Sequence, residues 1–435
     1  MPTKLITIIV CTLILFGCTP TTESGNVQED EIFADGYTRL SFDESEPATE
    51  MIAVSRYLGE DTMSGRISGL IDTNGKVVCP LIYDIARDSS EGYSIVGFYA
   101  KDTEKEYYDP LGNLLDSQKH IYTFVNIKGE ECFGYYSYAS EFSEGIAFVR
   151  DANENLYALD KNGGLTGIDV NVRWIYPYSE GLAAFGSEND NMAGFINCDF
   201  EIAIPAVYSA AASFSEGLAA ATFDDKLIYI DKNGNTVIET DYDYHAVSYN
   251  TMRFFKDAID YYSFHDGVAF LPRYYSETAT SDHYIDKSGN IALDNVYGSN
   301  FSHGLAPARD ENGNVGFIDK AGTFVIPAQY YSATPFNEYG TAFVYSHEYI
   351  PEELYTYQDY YGNYCGCINT KGEIVIPLEY YCSDYMFGFP NTANGIFKLY
   401  KDGYLHFFKS DGTLIGRLEE LEGAAEVYKE LDYKN

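Results

Sequence analysis

The residues with the clearest potential for chemistry are four glutamates that recur in one short motif. Each follows a serine and precedes a glycine, as in "FSEGLAAA" from Phe214. Carboxylates at equivalent positions of a repeat could line one rim and hold a cation or a ligand. A turn carboxylate more often bonds backbone amides close to it, and we favour this second interpretation. The four glutamates are Glu91, Glu144, Glu180 and Glu216.

Two further groups of residues invite a metal-site interpretation. "DTNG" from Asp72 and "DENGN" from Asp310 look like calcium loops, but neither has the twelve-residue ligand series that ends in a bidentate Glu, so we expect turns. Cys365-Gly-Cys367 is C-x-C, with no histidine pair at zinc-finger spacing. We expect buried thiols in strands, no metal and no cofactor. The cysteines concerned are Cys79, Cys132, Cys198, Cys365, Cys367 and Cys382.

The sequence contains no recognisable catalytic motif. H-E-x-x-H, G-x-S-x-G and a phosphate loop are all missing, and acidic residues are too abundant to single out a glycosidase pair. We therefore expect a protein that is not an enzyme. A hydrolase with an unrecognised carboxylate site is the remaining enzymatic alternative.

The composition limits the partners. The chain of 435 residues has 66 acidic and 28 basic residues, a formal net charge of -38. Such a charge repels nucleic acid phosphates and anionic lipid head groups. We expect no nucleic acid partner.

The N-terminus predicts export. Residues 1–17 carry Lys4 and a short apolar run, which is typical of a signal peptide and too short for a membrane-spanning helix. Leu15-Phe16-Gly17-Cys18 resembles the lipobox of bacterial lipoproteins, although Phe16 is bulkier than usual there. This resemblance implies that Cys18 is lipidated and anchors the chain to the extracytoplasmic face of the cell membrane. An ordinary secretory signal is the alternative.

The rest of the chain is built from repeats. "YIDKNGN" at Tyr229 has copies such as "GFIDKAG" at Gly316, and Gly145, Gly181 and Gly217 are spaced 36 residues apart. Asn-Gly between β-branched and aromatic flanks predicts a hairpin with a type I′ turn. A weaker copy, "YYDPLGNLL", begins at Tyr107. Pro80, Pro205, Pro327 and Pro377 are each expected to end a strand ladder, with a tyrosine three residues later as a spacer between units.

These patterns predict an all-β fold of tandem hairpin repeats of about 36 residues in a curved array. Both an open solenoid and a propeller-like toroid fit, and the irregular spacings slightly favour the open form. We assign residues 18–35 to a flexible acidic tether, 36–415 to the array and 416–435 to a tail or cap that could be helical. Two tyrosine-rich insertions, near 128–140 and 244–262, are the expected places for individual function.

The repeats resemble one known family. The order "SEGLA", then "GFIDKxG", then "xVIPxxY" is similar to the WG-repeat, or KWG-repeat, proteins of bacteria, over roughly residues 66 to 415. The family's tryptophan is replaced by Ser68, Ala193, Val315 and Cys365, whereas its glycine is retained at Gly69, Gly194, Gly316 and Gly366. The resemblance implies a repeat architecture and a surface or exported location, and no binding role of that tryptophan carries over.

The function we expect is that of a binding or scaffold module at the cell envelope, which recognises a protein or peptide through its repeat surface. The alternative is recognition of cell-wall glycan by exposed tyrosines. The chain has 42 Tyr and 27 Phe, which could stack on sugars, but strand patterns also use aromatic residues in the core. We favour the core role for most of them.

Overall fold

The structure, a computed structural model, describes residues 31–32, 37–39, 48–57, 66–100, 105–243, 259–272, 282–349, 363–380, 392–402 and 404–419. Over these ranges the chain forms 35 strands and one 3-10 turn at Asp260–Tyr262. The strands make nine small antiparallel sheets, which are the blades of a nine-bladed β-propeller. The all-β prediction is confirmed, and of the two predicted forms the closed toroid is the one adopted.

The strands follow one another around the ring in chain order. Blade 1 holds β3 (Met51–Tyr57), β4 (Arg66–Asp72) and β5 (Val77–Tyr83). Blade 2 holds β6 (Ile85–Ala86), β7 (Tyr93–Tyr99), β8 (His120–Asn126) and β9 (Glu131–Tyr136). Blade 3 holds β10 (Tyr138–Ala139), β11 (Ile146–Arg150), β12 (Leu156–Asp160) and β13 (Leu165–Gly167). Blade 4 holds β14 (Val172–Ile175), β15 (Leu182–Ser187), β16 (Ala193–Asn197) and β17 (Ile202–Tyr208).

The second half repeats the plan. Blade 5 holds β18 (Ala210–Ala211), β19 (Ala219–Phe223), β20 (Lys226–Ile230) and β21 (Thr236–Asp243). Blade 6 holds β22 (Val268–Leu271), β23 (His283–Asp286) and β24 (Ile291–Asp294). Blade 7 holds β25 (Ala306–Arg309), β26 (Val315–Ile318) and β27 (Phe324–Tyr330). Blade 8 holds β28 (Ser332–Ala333), β29 (Thr341–Tyr349), β30 (Asn363–Asn369) and β31 (Ile374–Tyr380).

Blade 9 joins the two ends of the chain. It holds β32 (Thr392–Ala393), β33 (Ile396–Lys401), β34 (Tyr404–Lys409) and β35 (Leu414–Glu419), and the N-terminal β1 (Glu31–Ile32) and β2 (Tyr37–Arg39) extend the same sheet beyond β35. The predicted boundaries therefore shift. Residues 31–32 of the predicted tether are strand, and 416–419 of the predicted tail belong to β35. The rest of the tail lies outside the described residues.

Closure is also visible in the packing between the first and last blades. Ile52 and Ile71 of blade 1 share a buried cluster with Ile396 and Phe407 of blade 9. Similar clusters join the other blades, and six of them contain the aromatic residue at the start of the S-E-G motif or its variant, namely Phe142, Tyr178, Phe214, Phe264, Phe301 and Phe336. Phe214, for example, is 2% exposed and its ring centroid lies 4.9 Å from that of Phe195 in blade 4. Burying such a side chain contributes about 1.5–3 kcal/mol, so stacking of blades stabilises the ring.

Each retained glycine of the WG motif faces a bulge in the neighbouring strand. Between β16 and β17, Ala193 pairs with Tyr208 but Phe195 pairs with Ile204, so the strand that contains Pro205 bulges over Gly194. A Cβ on Gly194 would lie 2.6 Å from the Ile204 carbonyl oxygen, which is too close for any other residue. The prediction that these prolines end the ladder is wrong. Proline is tolerated at a bulge, where its missing N–H removes no ladder bond.

The residue that replaces the family's tryptophan is buried. Ser68, Ala193, Val315 and Cys365 are each at most 4% exposed, and each pairs across the bulge with the tyrosine that follows the proline. That tyrosine packs between blades, as predicted. Tyr208, for example, is 5% exposed and donates its hydroxyl to the Gly234 carbonyl of blade 5 at 3.2 Å. This position therefore serves packing in this chain.

Candidate functional site

The S-E-G motifs are two-residue turns that enter the second strand of each blade's sheet. In the turn of blade 5, Ser215 and Leu218 exchange two backbone hydrogen bonds, and both central residues have positive φ, 53° at Glu216 and 88° at Gly217. This geometry defines a type I′ turn, whose twist suits antiparallel strands. The same sign of φ recurs at the equivalent Glu91, Glu144, Glu180, Asp266, His303 and Asn394. We call this series of turns the turn belt.

Each belt carboxylate binds the next blade. Glu180 of blade 4 accepts a hydrogen bond from the Gly217 N–H of blade 5 at 3.0 Å. Equivalent bonds join Glu91 to Gly145 at 3.1 Å, Glu144 to Gly181 at 2.9 Å, Glu216 to Gly267 at 2.9 Å and Asp266 to Gly304 at 2.6 Å. A non-glycine residue with positive φ costs about 1–2 kcal/mol. The interblade bond offsets that cost.

A lysine of the next blade supports three of these carboxylates. The ammonium of Lys232 lies 3.1 Å from the Glu180 carboxylate, and Lys161 and Lys287 lie 2.8 Å and 3.0 Å from Glu91 and Glu216. Partial burial by itself raises the pKa of Glu91 and Glu180. The lysine and the glycine amide outweigh this effect and hold the pKa of both carboxyl groups below the ordinary value of 4.5.

The serine of the motif also binds the next blade. The Ser179 hydroxyl donates to the carbonyl of Phe214 at 2.7 Å, and Phe214 is the aromatic residue before the next motif. Ser90, Ser143 and Ser215 make the same bond to Phe142, Tyr178 and Phe264. Serine and glutamate therefore both connect one repeat to the following one, whereas the sequence predicted bonds within the turn.

The belt closes through three different contacts in blades 7 to 9. His303 stands where a glutamate is expected and lies beside Gly340 of blade 8, and Tyr339 packs against Gly395 of blade 9. The Asn394 amide then donates to the carbonyls of Met51 and Ser89, both at 3.0 Å. Asn394 therefore joins the last blade to the first two. Sequence alone missed these substitutes because they share no residue type with glutamate.

The belt carboxylates are engaged by amides and ammonium groups of the protein. The structure therefore supports the turn interpretation in a modified form, with bonds between repeats. Among the residues that the structure describes, no three or more His, Cys, Asp or Glu side chains are grouped so as to hold a metal ion. The belt is best described as a structural connection around one face of the ring.

The Asn-Gly turns have a different geometry from the predicted one. In the turn of blade 5, only Gly234 has positive φ, and its N–H donates to the Asp231 carbonyl while Asp231 N–H donates to Asn235. This is a type I turn followed by a glycine bulge, so the type I′ prediction is wrong here. The Asp231 carboxylate accepts the N–H groups of Asn233 and Asn235. Asp72 and Asp310 do the same, so "DTNG" and "DENGN" are turns, as predicted.

The cysteines divide into two environments. Cys79, Cys365 and Cys367 are buried in strands, as predicted, and burial raises the pKa of the Cys79 thiol to about 11. Cys132 is half-buried in β9. Cys198 is exposed in a turn, where it replaces the lysine that would face Glu144, so the prediction is wrong for this residue. Cys382 and Cys18 lie outside the described residues.

The two faces of the propeller differ in their connections. Strand direction alternates within each blade, so the belt turns and the Asp-x-x-Gly turns lie at one face, and both kinds are uniformly short. The opposite face, which we call the long-loop face, is where the strand that precedes each chain segment of varied length ends; these segments are 58–65, 100–119, 244–258, 272–282, 350–362 and 381–391, of which 105–119 is the longest part that the structure describes. Variable loops on a rigid scaffold are the usual location of binding residues.

One of the two predicted insertions, at residues 128–140, lies elsewhere in the structure. Residues 128–140 are not an insertion, because they contain a regular turn at Gly129 and the strands β9 and β10. The inserted segment is 100–119, and "YYDPLGNLL" at Tyr107 is a small hairpin inside it, with Tyr108 paired to Leu114. Most of 244–262 lies outside the described residues.

Comparisons with known proteins give a family-level result. A family model described as "WG containing repeat" matches residues 69–98, 194–226, 316–345 and 366–381, which supports assignment of these repeats to the WG-repeat family. No curated protein matches. Among solved structures, "KlHsv2 with loop 6CD replaced by a Gly-Ser linker" is similar at 9% identity and a TM-score of 0.27, over 60% of this chain and 91% of that one.

Over the part of the chain that the structure describes, no helix has the length and apolar character needed to cross a membrane.

Proposed function

We propose that this chain is a non-enzymatic, envelope-anchored repeat protein that acts as a binding or scaffold module for a protein or peptide partner. In this proposal Cys18 carries the lipid, the propeller lies at the extracytoplasmic face of the membrane, and the partner binds the long-loop face. The observation that carries the proposal is the asymmetry of the two faces. One face is occupied by repeated turns that bond to the next blade, and the strands that precede the chain segments of varied length end at the other face.

The distribution of aromatic residues favours a protein partner over a glycan. Tyr136, Tyr229, Tyr262 and Tyr284 are at most 2% exposed, and Tyr208 acts as a spacer between blades. Among the described residues, three tyrosines are more than one-third exposed, Tyr108, Tyr297 and Tyr339, and they lie far apart in the chain. Sugar-binding surfaces require several rings presented together. Glycan binding remains the alternative outcome of the test below.

The test is chemical crosslinking of lysines in intact cells, followed by mass spectrometry of the tagged mature chain. Lys119 and Lys226 lie at the long-loop face, and Lys232 and Lys287 lie at the opposite face, where they pair with carboxylates of the turn belt. We expect partner peptides to be linked to the first pair and to be rare on the second. Links confined to Lys232 and Lys287 would contradict binding at the long-loop face. Recovery of wall polymer without protein would favour the glycan alternative.

The anchor has its own test. A Cys18→Ala variant should leave the membrane fraction and appear in the soluble extracytoplasmic fraction. A Cys11→Ala variant, changed within the signal region, should remain with the membrane and serves as the control. Retention of the Cys18→Ala protein on the membrane would contradict lipidation at this residue.

A further inference from the structure

The hairpin at residues 107–115 of the long-loop face has a buried side and an exposed side. Asp109 and Leu115 are each 4% exposed, and the Tyr107 ring packs 4.9 Å from Phe98 and 5.0 Å from Tyr135, measured between ring centroids. The other side carries Tyr108, Leu111 and Leu114, which are 47%, 52% and 55% exposed. We call these three residues the loop-face knob.

The knob brings three exposed apolar side chains together within seven residues. Tyr108 and Leu114 are directly opposite each other in an antiparallel bridge, so their side chains share one side of the hairpin, and Leu111 lies in the turn that connects them. Among the other residues that the structure describes, the large exposed apolar side chains are spread over several blades, as at Ile202, Phe223 and Ile291. Scattered residues need no explanation, but a cluster within seven residues points to an interaction site.

The hairpin is fixed to the neighbouring blade. The Asp109 carboxylate accepts the N–H of Ala152 in blade 3 at 3.0 Å and the N–H groups of Leu111 and Asn113, both at 2.9 Å. Burial raises the pKa of this carboxyl group, but the hydrogen bonds outweigh it and lower the pKa below its ordinary value. The carboxylate therefore stays ionised and holds the tip in place. A rigid apolar surface loses little conformational entropy when it binds.

The charges around the knob define the partner's chemistry. Glu106 and Asp116 flank it on the two arms of the hairpin. Of the nearby lysines that the structure describes, Lys119 is paired with Glu154 at 3.0 Å, and the Lys105 ammonium lies 4.6 Å from the centre of the Tyr107 ring. Lys105 keeps its positive charge beside that ring, so Glu106 and Asp116 leave the described surroundings of the knob with one net negative charge, on a chain with a net charge of -38. A negative rim is repelled by an anionic lipid surface and attracted by basic side chains.

We propose that the loop-face knob inserts into an apolar cleft on a protein partner whose rim carries lysine or arginine. This inference rests on the proposed function and adds to it the contact residues and the kind of surface they fit. Burial of the knob supplies the apolar contact at the centre of the interface. The flanking carboxylates supply orientation and a dependence on salt concentration.

The first step of the test is site-specific photo-crosslinking in intact cells, with Tyr108→p-benzoylphenylalanine in the knob and Tyr297→p-benzoylphenylalanine elsewhere on the long-loop face. We expect a protein adduct from position 108. A lipid adduct, or no protein adduct, at 108 together with a protein adduct at 297 would overturn the knob and leave the proposed function standing. If neither position 108 nor position 297 gives a protein adduct, both the knob and the proposed function are overturned.

The second step uses the identified partner in purified form. A Leu111→Ser, Leu114→Ser variant should bind at least about tenfold more weakly than the unchanged chain, and binding of the unchanged chain should weaken as salt is raised. Ile291→Ser, which removes an apolar side chain 61% exposed on blade 6, should alter the affinity less than about twofold. Leu111→Ser alone is the fallback if the double variant does not fold. Unchanged affinity in a folded knob variant would overturn the inference.

Discussion

The carboxylate of Glu180 in blade 4 accepts a hydrogen bond from the backbone N–H of Gly217 in blade 5 at 3.0 Å, and Glu180 adopts a φ of 55° to do so. One residue thus closes a hairpin within its own repeat and binds the following repeat. The same pattern continues from Glu91 to Asp266, so the stability of each blade depends on its neighbours. This coupling between adjacent units is what a repeat array requires, since one blade buries too little surface to fold alone.

Replacement of Glu180 separates the cost of its backbone conformation from the gain of its interblade bonds. Glu180→Ala should destabilise the protein by about 1–2 kcal/mol, because the bonds to Gly217 and Lys232 are lost while the strained φ remains. Glu180→Gly should reduce the free energy of unfolding by about 1 kcal/mol less than Glu180→Ala, since glycine adopts this φ without strain. Urea unfolding followed by the fluorescence of Trp174, the single tryptophan and a residue of blade 4, measures both. Equal losses would contradict the assignment of strain.

The contribution of Glu180 should depend on pH in a definite direction. Its pKa is lowered in the folded chain, so its stabilising effect is complete above the ordinary value of 4.5 and is lost as the pH falls through the folded-state pKa. The difference in stability between the unchanged chain and Glu180→Gln should therefore be constant at neutral pH and shrink below pH 4.5. Glu201→Gln, at an exposed position of the next turn, is the control and should cause no such difference. A difference that persists unchanged in acid would refute the ion-pair contribution.

The hairpins and their repetition follow from the sequence, but the choice of turn does not. Asn233-Gly234 and Glu216-Gly217 both precede strands, and residue preferences assign the type I′ turn to the first pair. The structure assigns it to the second, because the interblade bond of Glu216 to Gly267 stabilises a conformation that glutamate alone disfavours. Propensity reflects the local chain, and this bond connects residues 51 positions apart.

Closure of the ring is likewise beyond the local pattern. It depends on the rotation between successive blades and on contacts between distant ends, such as the pairing of Tyr37 with Leu418 and the bonds of Asn394 to Met51. The 36-residue period is the same for an open or a closed array. The loop-face knob could not be recognised from the sequence either, because "YYDPLGNLL" resembles a repeat. The pairing of Tyr108 with Leu114 shows that this segment is an inserted hairpin.

The glycine of each WG motif should be irreplaceable for a steric reason. In Gly316→Ala the new Cβ would lie 2.5 Å from the Ile326 carbonyl oxygen and 2.6 Å from the Ala328 nitrogen, both backbone atoms of the bulged strand. We expect a loss of about 2–3 kcal/mol or more, measured by urea unfolding. Gly167→Ala is the matched control, because its Cβ would meet only the Tyr157 ring at 3.7 Å. A loss in the control as large as that at Gly316 would show that the bulge is not the cause.

Cys198 stands where other blades carry a lysine that supports a belt glutamate, and restoring this lysine should stabilise the protein. Cys198 occupies the turn position at which Lys232 and Lys287 reach a glutamate of the preceding blade, and Glu144 is the glutamate it faces. Cys198→Lys should therefore add an ion pair and stabilise the protein by about 0.3–1 kcal/mol at low salt, with the gain reduced at high salt. Thr370→Lys is the control, because the equivalent belt residue there is His303 and no carboxylate receives the ammonium. We expect no gain from the control. Equal gains from both variants would mean that added positive charge on an acidic chain, and not the pairing with Glu144, is responsible.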